Sequence, residues 1–578
     1  MPFLILRPIQ QLISTLFVSL FVASTYSKNL TDPVRIHEGI LYGEILRTVE
    51  ESKPFAAFRG IPYAEPPVGV LRFKPPQKID YWDEPLFATS EESKMCIQIV
   101  PRTKKLEGSE DCLYLNVFTP HTKFNRVPLK PVMVWIHGGS YKNGNSDRFF
   151  YGPDYLVEEN VIVVTFNYRL GPLGFLNLQH KDALGNAGLK DQNLVLRWVK
   201  RNIINFGGDP DRITIFGQSA GAVAVDLHVL SDMSVGLFKQ SISMSGSPLC
   251  LSWGFQTAAD ATNSALKLAT KLGIKGYNKD QVLKQLLRIP AASIINATRL
   301  LSSSIPFRPT LEDPTLARNE PKFLTECSLT KYHKGNFSKG AHLMGFTSDE
   351  AVSFITDDRM KLVKMLDFLL SLPQIGSWSL FDYILGIKSE TTTDKAVKVL
   401  TDILFELGID SKQKLLAAHN GNYPVYYYVY SFDPGFSTHK ADGYQLEGAA
   451  HADELPNIFY RPFLNLPLNN SRLKQARRRM VRMWTNFAKF GNPTPHGRLD
   501  QLLNVTWPVS GVSGRHLNIG NELTTSMNTP ISPFVKKLQL LGLGEFYRGQ
   551  GCPDAAGFLK RISEILMAPI VQGLQSLI

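Results

Sequence analysis

Residues 213–222 read ITIFGQSAGA, and this stretch decides the fold. A β-branched apolar run is followed at once by a GxSxG turn and then by a run compatible with a helix, which is the context of a nucleophile elbow. Gly217 and Gly221 are expected to be required at their positions, because a Cβ atom there would collide with the strand and the helix that the turn joins. Ser219 is expected to adopt a strained backbone conformation that exposes its hydroxyl at the start of the helix, where developing negative charge is favoured.

Strands and helices alternate on both sides of this turn. Short apolar runs predict strands, and the amphipathic pattern of residues 189–206, which ends at Gly207, predicts a helix. Continuous apolar runs are typical of parallel strands buried on both faces, so the chain is predicted to be an α/β protein with a mostly parallel sheet flanked by helices. No repeat or linker interrupts the pattern, which predicts one domain over residues 28–578. The other predicted elements are strands at 132–136, 161–166, 212–216, 343–346 and 425–430, and helices at 220–230 and 471–490.

A serine hydroxyl is a poor nucleophile at neutral pH, so the elbow requires a base and an orienting acid further along the chain, in the order serine, acid, histidine. Glu350 in GFTSDEAVSF and His451 in EGAAHADELPNIF occur in that order. Loops at the carboxyl ends of parallel strands gather on one edge of a sheet, so these side chains are expected to meet. Taken singly, His451 could be structural or solvated, and Asp349 with Glu350 could be an acidic pair that begins a helix.

The segment HGGS at 137–140 follows the predicted buried strand VMVWI. Consecutive glycines allow backbone N–H groups to point at a substrate oxyanion, together with the N–H of Ala220. The alternative interpretation is a plain tight turn.

The composition is that of a globular protein. Of the 578 residues 44% are hydrophobic and 20% are charged, which excludes disordered, collagen and coiled-coil classes. The formal net charge is +12, but no basic tract suits nucleic acid, so no nucleic-acid partner is predicted; an acidic membrane surface or polysaccharide stays open. No HExxH, GxxxxGK[ST] or CxxC motif is present, so neither a metal nor a cofactor is predicted.

The first 27 residues predict a secretory signal peptide. Arg7 precedes a short apolar segment, Leu12 to Ala23, that is followed by small residues. A retained anchor is the competing interpretation, but the apolar block is short for a membrane span, and no other segment is long enough for one. Secretion is therefore expected. Five acceptor sequences for N-linked glycans agree with it, at Asn29, Asn296, Asn336, Asn469 and Asn504.

Several long motifs in the same order resemble the type-B carboxylesterase and cholinesterase family of α/β-hydrolases. The resemblance extends from about Gly43 to Pro493. Besides the segments already quoted, its motifs include SEDCLYLNVFTP at 109–120, NYRLGPLGFL at 167–176, SMSGSP at 243–248, HADE at 451–454 and WTNFAKFGNP at 484–493.

The resemblance implies an enzyme that hydrolyses small-molecule carboxylic esters. It implies a role for each of several residues: Ser219 as nucleophile, Glu350 as acid, His451 as base, Gly139, Ser140 and Ala220 as oxyanion donors, Cys96 and Cys112 as a disulfide, and Arg72 with Glu110 as a buried ion pair.

Two departures argue against choline esters as substrates. Residues 97–111 contain no tryptophan to hold a choline cation, and position 218 is Gln where cholinesterases have glutamate. The oxyanion segment also ends in Ser140 where the family usually has Gly or Ala. The ester itself is left open, since the acyl pocket depends on loops around Trp253, Phe307 and Phe354.

A rival function is a catalytically silent adhesion or carrier protein on the same fold. Such relatives usually lack a triad member, whereas this chain keeps all three. Five cysteines leave at least one without an intramolecular partner, so the pairing of Cys250, Cys327 and Cys552 and the oligomeric state stay open.

Overall fold

The computed structural model describes residues 29–90, 94–250, 253–275, 278–354, 392–441, 443 and 446–539. The predicted signal peptide and Cys552 lie outside these residues, as do both ends of the predicted domain 28–578. Among the described residues, no helix combines the length and the apolar character that crossing a membrane requires.

Eleven described strands form the central sheet, numbered here in chain order. They lie in the spatial order β11-β10-β9-β8-β7-β6-β4-β5-β3-β2-β1. Their bounds are β1 Glu44–Arg47, β2 Pro54–Pro62, β3 Tyr114–Thr119, β4 Lys130–Ile136, β5 Ile162–Phe166, β6 Gly208–Gln218, β7 Gln240–Met244, β8 Ala341–Thr347, β9 Val425–Tyr430, β10 His516–Ile519 and β11 Leu523–Ser526.

The seven strands β4 to β10 pair in parallel, whereas β1 to β3 and β11 join antiparallel at the two edges. Every residue of β5, β7 and β8 is buried, as expected for strands covered on both faces. This is the α/β-hydrolase architecture, which confirms the predicted fold class. Three small sheets lie outside it: Val34–Ile36 with Gly39–Tyr42 and Leu86–Phe87, Gln98–Ile99 with Leu106–Glu107, and Asn177–His180 with Ala183–Leu184.

Helices flank the sheet. Their bounds are α1 Arg148–Tyr151, α2 Asp154–Glu158, α3 Gly171–Phe175, α4 Ala187–Asn202, α5 Ala220–Leu230, α6 Ala258–Lys271, α7 Lys279–Arg288, α8 Ala291–Thr298, α9 Ser328–His333, α10 Thr392–Thr401, α11 Leu407–His419, α12 Thr438–Ala441, α13 Ser471–Phe490 and α14 Pro533–Leu538. One π-helical turn, Asp402–Glu406, joins α10 to α11, and 3₁₀ turns occur at Gly69–Leu71, Ile203–Phe206, Asp232–Ser234, Glu350–Phe354, Leu455–Asn457, Pro462–Leu464 and Gly497–Leu499.

The predicted helices at 220–230 and 471–490 have the predicted bounds. The helix predicted for 189–206 forms as α4 with a closing 3₁₀ turn, and Gly207 ends it with a φ of 77°. Glycine adopts a positive φ without steric strain, which explains why this glycine predicts the end of the helix.

The implied disulfide and ion pair are both present. Cys96 and Cys112 are bonded, and the Arg72 guanidinium donates to both carboxylate oxygens of Glu110 at 2.7 and 2.8 Å. Arg72 also donates to the carbonyl of Ile289 at 2.7 Å, so the disulfide loop is fixed to the chain near α8. Cys250 is free and buried, whereas Cys327 is disulfide-bonded.

Candidate active site

Ser219 lies between the carboxyl end of β6 and the first residue of α5. Its φ of 59° and ψ of −127° form a strained conformation for a residue with a side chain, and the residue is partly exposed. A Cβ at Gly217 would lie 2.5 Å from the carbonyl oxygen of Gly221, and one at Gly221 would lie 2.0 Å from that of Ile136. Both glycines are therefore required by the close approach of backbone, as the GxSxG pattern predicts.

Glu350 and His451 meet, although 101 residues separate them. Nδ1 of His451 lies 2.5 Å from Oε2 of Glu350, and the other carboxylate oxygen accepts from the N–H of Thr347 at 2.9 Å. The Glu350 side chain is fully buried, whereas the imidazole is 10% exposed. A carboxylate in this position fixes the tautomer with a proton on Nδ1 and leaves Nε2 as an acceptor.

Nε2 of His451 faces the elbow. It lies 3.2 Å from the side-chain nitrogen of Gln218, the residue before Ser219. Among the described residues, no hydrogen bond joins the Ser219 hydroxyl to His451. The structure thus brings the imidazole to the elbow, where the side-chain amide of Gln218 is hydrogen-bonded to the acceptor nitrogen. In the sequence, Gln218 bears only on the binding of choline, and no local signal indicates its contact with His451.

The HGGS segment lies against the elbow at the end of β4. A Cβ at Gly138 would lie 3.1 Å from that of Ser219. Gly139 and Ser140 have φ values of 107° and 54°, so the turn depends on left-handed backbone. The N–H groups of Gly139, Ser140 and Ala220 donate no hydrogen bond to any residue that the structure describes. Three unpaired donors next to Ser219 are the arrangement that an oxyanion site needs.

His137 supports this turn from inside the protein. Its ring stacks on Tyr168 with centroids 4.4 Å apart, and Nδ1 donates to the carbonyl of Gly138 at 2.8 Å. Burial lowers the pKa of His137 to about 4, so the ring is neutral at neutral pH. The hydroxyl of Tyr168 donates to the carbonyl of His137 at 2.8 Å, which holds the start of the turn in place.

Aromatic rings cover His451. Phe354 and Phe405 lie 5.2 and 5.0 Å from the imidazole, centroid to centroid, and Trp253 packs on Phe405 at 5.3 Å. Of the three residues named for the acyl pocket, Phe354 contacts the imidazole, Trp253 reaches it through Phe405, and Phe307 lines a cleft whose lining includes neither Ser219 nor His451. Phe405 lies on the π-helical turn and carried no signal in the sequence.

The HADE motif contains two further acids. Asp453 pairs with a buried histidine, His439, with Oδ2 and Nδ1 2.5 Å apart. Glu454 is fully buried, and neither of its carboxylate oxygens has a hydrogen-bond partner among the described residues. Burial, reinforced by the negative charge of Glu350, raises the pKa of Glu454 well above its usual range. The HADE motif draws attention to both residues in the sequence, but it does not indicate what either of them does.

The fold and the elbow define an α/β-hydrolase whose serine, imidazole and carboxylate lie at one edge of the sheet. The comparisons with known proteins identify the family: the carboxylesterase family model matches residues 31–533, and the chain belongs to that family.

Juvenile hormone esterase of Tribolium castaneum is 35% identical over 88% of this chain and 92% of that protein. The homologous enzyme of Heliothis virescens is 33% identical over 79% and 85%. The solved structure of juvenile hormone esterase from Manduca sexta aligns with a TM-score of 0.76 at 28% identity, covering 90% of this chain and 99% of that one. The chain is therefore a hydrolase of carboxylic esters, closer to these enzymes than to acetylcholinesterases. The roles of individual site residues stay predictions.

Proposed function

We propose that the protein is a secreted serine carboxylesterase that acts through an acyl-enzyme on Ser219. The observation that carries the proposal is the imidazole of His451, which is bonded to Glu350 through Nδ1 and faces the elbow with Nε2. An imidazole held in this way is the general base that a serine nucleophile requires.

In the first half-reaction, Ser219 Oγ replaces the Gln218 amide at Nε2 of His451 and transfers its proton there. The Oγ atom bonds to the ester carbonyl carbon, and the carbonyl oxygen becomes an oxyanion. When the tetrahedral intermediate collapses, the bond to the alcohol oxygen breaks and His451 returns the proton to that oxygen. Water then attacks the acyl-enzyme by the same route, which releases the acid and restores Ser219.

The N–H groups of Gly139, Ser140 and Ala220 bind the oxyanion in both half-reactions. One such donor contributes roughly 2.7–4 kcal/mol to the transition state. The neutral ring of His137 keeps the turn rigid, so these donors do not have to reorganise during the reaction. Glu350 holds the imidazole in the required tautomer and stabilises its cation.

The decisive experiment uses purified protein and a short-chain nitrophenyl ester. We expect hydrolysis by the parent protein, labelling of one serine per chain by an organophosphate, and loss of both in Ser219→Ala. A well-folded parent protein that neither hydrolyses the ester nor takes up the label would support the silent carrier instead.

The route of secretion is tested separately. The acceptor residues Asn29, Asn296, Asn336, Asn469 and Asn504 are all exposed, which supports glycan attachment. Expression in an insect cell line is expected to deliver a protein that starts near residue 28 and loses mass on treatment with an endoglycosidase. An intact N-terminus on a protein retained in the cells would contradict this part of the proposal.

The names of the relatives decide which ester is tested first. Two of them are juvenile hormone esterases, and the Manduca sexta structure contains OTFP covalently attached. A hydrolysis profile should therefore include juvenile hormone beside esters of graded acyl and alcohol length. A kcat/KM for the hormone that exceeds those of simple alkyl esters by about a hundredfold would assign this substrate; equal values would indicate a general esterase.

A further inference from the structure

A second cleft lies beside the disulfide loop, and neither Ser219 nor His451 lines it. It has a volume of about 440 Å³, which is within the usual range for small-molecule sites. Its floor is apolar and includes Ile99, Ile295 and Phe307. Such a surface favours a flexible hydrocarbon chain, since removing apolar area from water is favourable.

Three cations line the rim of this cleft: Lys104 from the disulfide loop, Lys142 from the oxyanion turn and Arg299 from the end of α8. No carboxylate belongs to the lining, and within the described ranges none of the three forms an ion pair. Arg72, by contrast, is paired with Glu110. An unpaired cluster at the edge of an apolar cleft produces a local positive potential that attracts anions.

Lys142 is tied to the wall of the cleft by a hydrogen bond. Its ammonium group donates to the carbonyl of Ser304, another lining residue, at 2.8 Å. The surrounding protein lowers the pKa of Lys142 by partial desolvation, which an added anion would offset. A bound carboxylate would therefore complete a charge-assisted hydrogen bond that the protein leaves unmade.

We propose that this cleft binds an amphiphilic carboxylate, with the hydrocarbon chain on the apolar floor and the carboxylate among Lys104, Lys142 and Arg299. The ligand class is a free monocarboxylic acid with an alkyl chain.

The site is connected to the oxyanion turn through Lys142 and Asn143. The N–H groups of both residues donate to the carbonyl of Gly139, at 3.0 and 3.1 Å. A ligand bound to Lys142 is therefore linked, through this backbone turn, to the N–H donors beside Ser219. The binding site itself does not depend on the proposed catalytic roles, so it is tested by binding and not by activity.

The experiment measures binding of octanoate to the full-length protein by calorimetry, in parallel with 1-octanol and propanoate. Ser219→Ala is used as the host so that no acyl chemistry intervenes. We expect octanoate to bind at least tenfold more tightly than either the neutral alcohol or the short acid, and its affinity to fall as salt is raised.

Two sets of variants locate the site. Lys142→Gln combined with Arg299→Gln is expected to weaken octanoate binding about tenfold, and Ser304→Glu to do the same by placing a carboxylate beside Lys142. The matched control is Lys123→Gln, an exposed lysine on the 120–129 loop, which should change the affinity less than twofold.

The contrary results are equally specific. Equal binding of octanoate and 1-octanol, or unchanged affinity in the double variant with an unchanged unfolding temperature, would overturn the proposal. So would complete loss of octanoate binding when Ser219 of the parent protein carries an organophosphate, because the acid would then occupy the substrate pocket.

Discussion

Two histidine–carboxylate pairs lie within one loop region of this protein, and they have almost the same geometry. His451 and Glu350 are joined at 2.5 Å through Nδ1, and so are His439 and Asp453. The difference lies at the second ring nitrogen. In His439 it bonds to the carbonyl of Leu446 at 2.9 Å, whereas in His451 it faces the side chain of Gln218 at the elbow.

This difference separates a pair whose ring nitrogens are both committed from a pair that can act as the proposed general base. The His439 ring has both nitrogens committed and is fully buried, so it has no position from which to exchange a proton with a ligand. Asp453 also accepts from the N–H of Ala450 at 2.8 Å, which fixes the loop just before His451. The second pair therefore positions the first, and a short histidine–carboxylate distance alone does not identify a catalytic site.

The largest expected effect distinguishes the two carboxylates. Glu350→Gln should lower kcat by about 10⁴-fold because the amide favours the wrong imidazole tautomer and cannot stabilise the imidazolium. The measurement is steady-state hydrolysis of a nitrophenyl ester, with the unfolding temperature as a check on folding. A loss below tenfold would remove Glu350 from the catalytic roles.

Asp453→Asn is the matched substitution in the other pair. We expect it to destabilise the protein by roughly 1–3 kcal/mol, the usual cost of an impaired buried hydrogen bond, and to change kcat less than tenfold. Denaturant unfolding and the same ester assay measure the two quantities. If kcat falls as far as in Glu350→Gln while stability is unchanged, the distinction between the pairs is wrong.

Local features made much of this arrangement predictable. The strands and helices follow apolar periodicity, and the elbow follows from glycines that no Cβ can replace, as at Gly217 and Gly221. The order of Ser219, Glu350 and His451 followed from the chemistry and the family motifs. These signals lie in the residues themselves or in short segments around them.

What could not be predicted depends on partners far away in the chain. Nothing near His439 distinguishes it from His451, because the distinction rests on Leu446 and Gln218. The run of basic residues that includes Arg477 would suggest a solvated helix face, yet Arg477 is buried and paired with Glu50. Helix periodicity places a residue on a face, but only tertiary packing decides what covers that face.

A smaller effect is expected at Glu454, the carboxyl group that neither pair uses. Because its pKa is raised in the folded protein, the neutral form is favoured there, and the native state loses stability as the pH rises above the unfolded value near 4.5. Glu454→Gln does not titrate. The variant should therefore gain stability over the parent as the pH rises from 5 to 8, by about 1 kcal/mol or more, while kcat changes less than threefold. If the stability of the variant minus that of the parent is smaller at pH 8 than at pH 5, Glu454 is not neutral in the folded protein.

The smallest effect sharpens the comparison through pH alone. Burial lowers the pKa of His439, but the hydrogen bond and charge of Asp453 outweigh it, so the net shift is upward from 6.5. A raised histidine pKa stabilises the fold fully below the unfolded pKa, and this contribution is lost as the pH rises through the folded pKa. The stability difference between the parent and Asp453→Asn should therefore narrow between pH 6 and pH 8.5, by about 1 kcal/mol or less, as denaturant midpoints would show. A difference that stays constant over this range would mean that His439 is neutral throughout, and the pair would then be an uncharged hydrogen bond on the histidine side rather than a salt bridge.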